Sequence, residues 1–165
     1  MYHRIYCHLI WTTRARARVI DRDIARFLCR FLRAMARKER AYVLEIGMVQ
    51  THVHLLVRLH PMAAVSSLVK RLKGASSAVA AQEGLGTQGR LYRAKGYAVH
   101  SVSPQAIEAI RHYLRGQPSH HPSDAIIGWE GDRASECDTA ESMITAASAL
   151  ASRSDAVPSS DLSRE

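Results

Sequence analysis

The chain has 165 residues, 47% of them hydrophobic, which fits one domain with a real core and excludes wholesale disorder. No apolar run approaches the roughly 20 residues of a membrane span, and the amino terminus, MYHRIYCHLIWTTRAR, is too charged for a signal peptide. The net charge of +8 is uneven: residues 123–165 carry nine acidic and three basic residues, net −6, whereas residues 1–122 carry 20 basic and six acidic residues, net +14. A segment this basic points to a polyanion, most simply nucleic acid. Cys7, Cys29 and Cys137 form no CxxC pair, so a reducing, cytoplasmic setting is expected.

Residues 2–12 alternate as a half-buried strand. Ile5, Cys7, Leu9 and Trp11 share one face, and Arg4, Tyr6, His8 and Ile10 the other. A basic loop bearing Arg14, Arg16 and Arg18 follows. Residues 21–39 read as a helix with Asp21 as N-cap and Ile24, Phe27, Leu28, Phe31, Leu32 and Met35 at helical spacing. Residues 41–49 make a second strand and 51–60 a third. In the third, period two sets Val53, Leu55, Val57 and Leu59 against His52, His54, Leu56, Arg58 and His60.

A helix over 64–82 carries Val65, Leu68, Val69, Leu72 and Val79 on its apolar face and "KRLKG" in its basic part. Gly84, Gly86 and Gly89 mark a loop. Residues 90–102 read as a fourth strand, and 104–116 as a further helix with Pro104 in its first turn, closed by Gln117-Pro118. The order β-α-β-β-α-β predicts an α+β, ferredoxin-like fold: a four-stranded antiparallel sheet, two helices on one face, and the extra helix on the other. The first and third strands lie at its centre. The expected division is a catalytic domain over 1–122 and an acidic Ser/Ala-rich tail over 123–165, poorly ordered or loosely helical.

His52 and His54 point to the same side of the sheet, so their rings can meet at one point as a metal clamp. H-x-H alone also fits a strand that exposes polar residues at alternate places. Tyr113 and Gln117 stand four apart in the last helix. If that helix covers the open face, phenol and amide arrive beside the histidines; otherwise Tyr113 packs with Ile110 and Leu114.

His52-Val53-His54 reads as histidine–hydrophobe–histidine. "THVHLLV", "LVKRLKGASS", "GYAVHSV" and "YLRGQPSHH" follow one another as separated blocks. In this order they resemble the single-tyrosine HUH transposases of the IS-two-hundred type, with the REP-associated tyrosine transposases, from about Ile5 to His121. The resemblance implies that His52, His54 and Gln117 bind a divalent ion, Mg²⁺ or Mn²⁺, and that Tyr113 is the nucleophile. It further implies cleavage and rejoining of single-stranded, hairpin DNA through a 5′-phosphotyrosine, by a homodimer in the bacterial cytoplasm, nucleoid-associated. Tyr92 stands where Trp is commoner, and "RARAR" replaces a mixed basic-aromatic stretch.

Arg14, Arg16, Arg18, Lys70, Arg71, Lys73, Arg90 and Arg93 are candidates for phosphate contacts. Tyr92, Tyr97 and Trp11 are candidates for base stacking. His8, His120 and His121 are expected to line the site. Three rivals stand beside this reading. "KGYAV" begins like an RNA-recognition motif, but Val99 and Val102 stand where aromatics belong. A domesticated relative would bind hairpins without mobilising DNA. A metallohydrolase would use His52 and His54, without the carboxylates such sites usually add.

Overall fold

The computed structural model describes residues 3–86, 91–129 and 131. Four strands form one sheet: β1 (Ile5–Thr12), β2 (Ala41–Val49), β3 (His52–Leu59) and β4 (Ala98–Val102), in the order β2-β3-β1-β4. Every pairing is antiparallel. Helices α1 (Arg22–Lys38) and α2 (Val65–Gln82) join the strands of the two β-α-β halves, and β1 and β3 lie at the centre, so the fold is the expected ferredoxin-like one.

Local signals explain the elements. Asp21 caps α1 by accepting from the backbone N–H groups of Asp23 (3.1 Å) and Ile24 (2.9 Å), which satisfies two of the helix's orphan donors. Its apolar stripe, with Ile24, Phe27, Leu28, Phe31 and Leu32, is buried. That stripe meets Cys7, Leu9 and Trp11 of β1, Val53, Leu55, Val57 and Leu59 of β3, and Leu68, Val69 and Leu72 of α2. The period-two pattern of β1 and β3 thus aims one set of side chains at the two helices.

The opposite face is covered in part by α3 (Ile107–Arg115) and the short α4 (Gln117–His120), which pack mainly on β2. The extra helix differs from expectation in that residues 104–106 form a 3₁₀ turn and the chain breaks at Gly116 before α4 restarts at Gln117.

Two boundaries also differ. The fourth strand begins at Ala98 rather than at 90. Residues 91–97 instead follow the sheet's edge irregularly, with one bridge from Arg93 to Thr13. Gly96 turns there with φ of 80°. Lys73 of α2 donates its ammonium to the carbonyls of Ala94 and Gly96, holding this stretch off a regular ladder. The packed fold also runs past 122: Asp124 accepts from the Gln50 N–H through its carbonyl (2.8 Å), Ile126 is buried in the core, and Trp129 packs against it. The rest of the acidic tail lies outside the described residues. Among the described residues, no helix is long and apolar enough to cross a membrane.

Candidate active site

The site is built on the face of β3 opposite the core. His52 and His54 are both buried, with ring centroids 5.0 Å apart. Across the sheet, β1 contributes His8, whose Nε2 shares a 2.9 Å hydrogen bond with His54 Nδ1. On the other side, β2 contributes Gly47, the register partner of His54. A Cβ there would lie 2.6 Å from the Leu114 carbonyl and 2.9 Å from Gln117 Cγ. This glycine therefore lets the backbone of α3 and the side chain of Gln117 come down onto the sheet.

That close approach brings the expected residues together. His52 Nε2 stands 3.3 Å from Gln117 Oε1, deep in the protein, since Gln117 is wholly buried. The Tyr113 ring centroid lies 6.1 Å from that of His54 and 6.5 Å from that of His8. Tyr113 is 38% exposed, so a macromolecular substrate can reach it. His120 lies beside it with ring centroids 5.0 Å apart, and His121 stands edge-on to His52 at 4.8 Å. His8, His120 and His121 thus each stand against a ring of the histidine pair or Tyr113.

The helix is also held electrostatically. Glu45, buried on β2 beside a β-bulge, takes Arg111 Nε at 3.2 Å and Arg115 Nη2 at 2.8 Å. These two arginines flank Tyr113 in sequence, so the pairs fix the turn that carries the phenol.

The imidazoles are tuned to stay neutral. Burial, then the neighbouring His52, His8 and His121, push His54 down to about 3. Burial and then His121 push His52 below its ordinary value. Burial and then His100, on β4, do the same to His8. A neutral imidazole keeps a lone pair for a metal. His54 Nε2 and Gln117 Nε2 are buried with no hydrogen-bond partner, and an orphaned ring nitrogen can offer its lone pair to a cation. Among the described residues no three His, Cys, Asp or Glu side chains form a metal-holding group; the polar side chain that meets His52 here is the amide of Gln117.

The basic residues divide. Arg14, Arg16 and Arg18 are exposed in the loop after β1, where Ala15 and Arg16 take left-handed φ of 54° and 52°. Arg16 is close enough to His52 to disfavour its protonation, and Arg18 Nε donates to Asp124 Oδ1 at 2.9 Å. Lys70, Arg71 and Lys73 lie on α2, in the layer across the sheet from the histidines, and Arg71 pairs there with Glu39. Lys73 is engaged with the 94–96 carbonyls.

Arg93 turns inward: its guanidinium sits 5.4 Å over the Trp11 ring and donates to Ser76 Oγ, with Nε and Nη1 buried. The seven described cations of the expected DNA track thus do not share one surface. Arg90 lies outside the described residues. Tyr92 and Tyr97 are exposed; Trp11 is core.

Sequence reasoning missed Glu45, Gly47, Thr51 and Asp124. The first two carried a signal: an acid and a glycine inside the apolar strand "YVLEIGMV". Asp124 carried none.

A ferredoxin-like sheet with a histidine pair and a tyrosine-bearing helix on its open face is the framework of the single-tyrosine HUH transposases. The "Transposase IS200 like" family model matches residues 1–117, and the chain belongs to that family. It is 35% identical over 75 residues to the ISDra2 transposase TnpA of Deinococcus radiodurans, a match spanning 46% of this chain and 54% of that protein.

Two solved structures share the fold. One is a Deinococcus radiodurans chain provisionally described as a transposase, with a TM-score of 0.52 and 26% identity over 71% of this chain and 93% of that one. The other is a REP-associated tyrosine transposase bound to a REP hairpin, with a TM-score of 0.52 and 12% identity, covering 73% of this chain and 71% of that one.

Proposed function

We propose that the chain is a metal-dependent DNA transposase that cleaves and rejoins single-stranded DNA through Tyr113. The observation that carries this reading is the convergence of His52, His54, Gln117 and Tyr113 on one open sheet face from three separate elements. His52, His54 and Gln117 would hold Mg²⁺ or Mn²⁺, which when bound offsets the charge of the scissile phosphodiester and orients it. All three ligands are neutral, so none of them cancels the ion's charge. Nitrogen donors favour Mn²⁺, and Mg²⁺ is the commoner ion.

Tyr113 supplies the nucleophile. Its phenol oxygen bonds to phosphorus, the bond from phosphorus to the 3′-oxygen breaks, and the phenol proton is lost as the 3′-oxygen gains one. The product is a 5′-phosphotyrosine and a free 3′-hydroxyl. Because the linkage is preserved as an ester, another 3′-hydroxyl can reverse the step on new DNA without ATP. One tyrosine per chain favours a homodimer for a two-ended exchange. Exposed Arg14 and Arg16, the latter near His52, with Tyr92 and Tyr97, offer phosphate contacts and stacking for a single strand. The hairpin in one structural relative supports a hairpin-ended substrate.

The test mixes the protein and Mn²⁺ or Mg²⁺ with labelled hairpins bearing randomised single-stranded flanks, then runs a denaturing gel. A covalent protein–DNA band is expected, lost in Tyr113→Phe and on chelation. Cleavage that survives Tyr113→Phe, with no covalent band, would instead indicate a metallohydrolase.

A further inference from the structure

Behind His52 runs a chain of polar contacts that leads away from the proposed metal position. His52 Nδ1 lies 3.0 Å from the Thr51 hydroxyl, and that hydroxyl donates to Asp124 Oδ2 at 3.1 Å. Asp124 Oδ1 in turn accepts from Arg18 Nε at 2.9 Å. Backbone bonds fix the geometry: the Thr51 carbonyl accepts from the Thr13 N–H (2.8 Å), and the Gln50 N–H donates to the Asp124 carbonyl. Thr51 and His52 are buried, at 3% and 4% exposure.

A hydroxyl has one proton to give. The Thr51 proton goes to a carboxylate, so Thr51 can only accept from His52. We infer that Thr51 and Asp124 form a relay that holds His52 in its Nδ1–H tautomer, leaving the Nε2 lone pair bare and aimed at Gln117. Two imidazoles, such as His8 and His54, can share a proton either way; a hydroxyl committed to a carboxylate cannot. The consequence is local. His52 Nε2 and Gln117 Oε1 are then two acceptors facing each other at 3.3 Å, with no proton between them. A cation satisfies both. Thr51 and Asp124 are thus positioning residues, and Asp124 lies beyond the 117 residues matched by the family model.

Only the consequence for metal binding rests on the proposed function; the tautomer does not, and the two fail separately. The experiment records side-chain ¹⁵N correlations of the histidines in the chelator-treated full chain at pH 8. His52 is expected to carry its proton on Nδ1. Thr51→Val removes the acceptor, and the proton should move to Nε2, where it can reach Gln117 Oε1; Thr51→Ser should restore the original state.

If Thr51→Val does not fold by circular dichroism, Asp124→Ala serves, because it frees the Thr51 hydroxyl to donate to Nδ1 and shifts the same equilibrium. In parallel, Mn²⁺ titration followed by electron paramagnetic resonance should show affinity weakened roughly 10–100-fold in Thr51→Val. An Nε2–H tautomer in the unmodified chain, or a proton that stays on Nδ1 in both Thr51→Val and Asp124→Ala, overturns the relay. A correct tautomer response in a chain that binds no Mn²⁺ upholds the relay and overturns the metal reading.

Discussion

The two faces of β3 solve opposite problems with the same backbone. On one, Val53, Leu55, Val57 and Leu59 are sealed beneath α1 and α2 and need no partner. On the other, His52 and His54 are as deeply buried, yet His54 Nε2 has no partner and burial pushes both rings below their ordinary pKa. Each unsatisfied buried polar group costs about 1–3 kcal/mol. The difference teaches that the covered face supplies stability, and that the open face draws on it to keep unsatisfied polar groups buried.

Neighbouring residues give the sharpest test of that division. Leu55→Ala, on the sealed face, should cost about 2–5 kcal/mol in urea unfolding. His54→Ala, one residue away, removes the orphaned Nε2 but also leaves His8 without its partner, so it should cost less than Leu55→Ala, about 1–2 kcal/mol. It should abolish Mn²⁺ binding and the covalent band. A His54→Ala deficit as large as that of Leu55→Ala would erase the distinction.

The open face should also carry most of the acid sensitivity. His54 titrates at about 3 in the folded protein, against about 6.5 when unfolded. Between these values the unfolded chain binds a proton that the folded chain does not. Stability is therefore complete above about pH 6.5 and falls as the pH drops toward 3, by a few kcal/mol. Urea midpoints at pH 7.5 and 4.5 should show this fall. Because His52 and His8 are depressed too, His54→Ala should flatten it only in part.

Two glycines extend the contrast with opposite signs. Gly47→Ala on the open face pushes a methyl against the Leu114 carbonyl, which is backbone and cannot swing away. A loss of about 1–3 kcal/mol is expected, with covalent product falling further as α3 lifts. Gly74→Ala, within α2, meets no atom within 4 Å and should gain about 0.5–1 kcal/mol. Thermal melts of the two variants would settle the signs.

The sealed face was legible because hydrophobic burial leaves a periodic trace: the alternation in β1 and β3 and the stripe of α1 each appear where the pattern puts them. The open face was half legible. The spacing of His52 and His54, and of Tyr113 and Gln117, placed each pair on one side of its own element, but only the resemblance joined the pairs. Glu45 and Thr51 act through long-range bonds, among them those to Arg111 and Asp124, 66 and 73 positions away, and no local period records such a bond. Arg93 and Lys73 misled for a related reason. A cation in a sequence reads as surface charge, whereas here Trp11, Ser76 and free carbonyls took them inward. The fourth strand was overdrawn because residues 91–97 have strand-like composition, yet among them only Arg93 forms a bridge, to Thr13 just past β1.

The smallest effect expected is at the anchor of the tyrosine helix. Glu45 takes both Arg111 and Arg115, but these arginines are 33% and 57% exposed, so solvent screens each pair. Glu45→Gln should therefore cost only about 1 kcal/mol of global stability. Glu108, 77% exposed, also binds Arg111, but within α3 and one turn away. Glu108→Gln should lie within about 0.5 kcal/mol of the parent. The two carboxylates differ in what they tie together: Glu108 joins the helix to itself, whereas Glu45 joins it to β2. Covalent product should thus fall several-fold in Glu45→Gln and hardly change in Glu108→Gln, even after the stability difference is removed by assaying well below the melting point. Equal yields from the two variants would mean that Gly47 and Leu114 alone hold Tyr113 over the histidines.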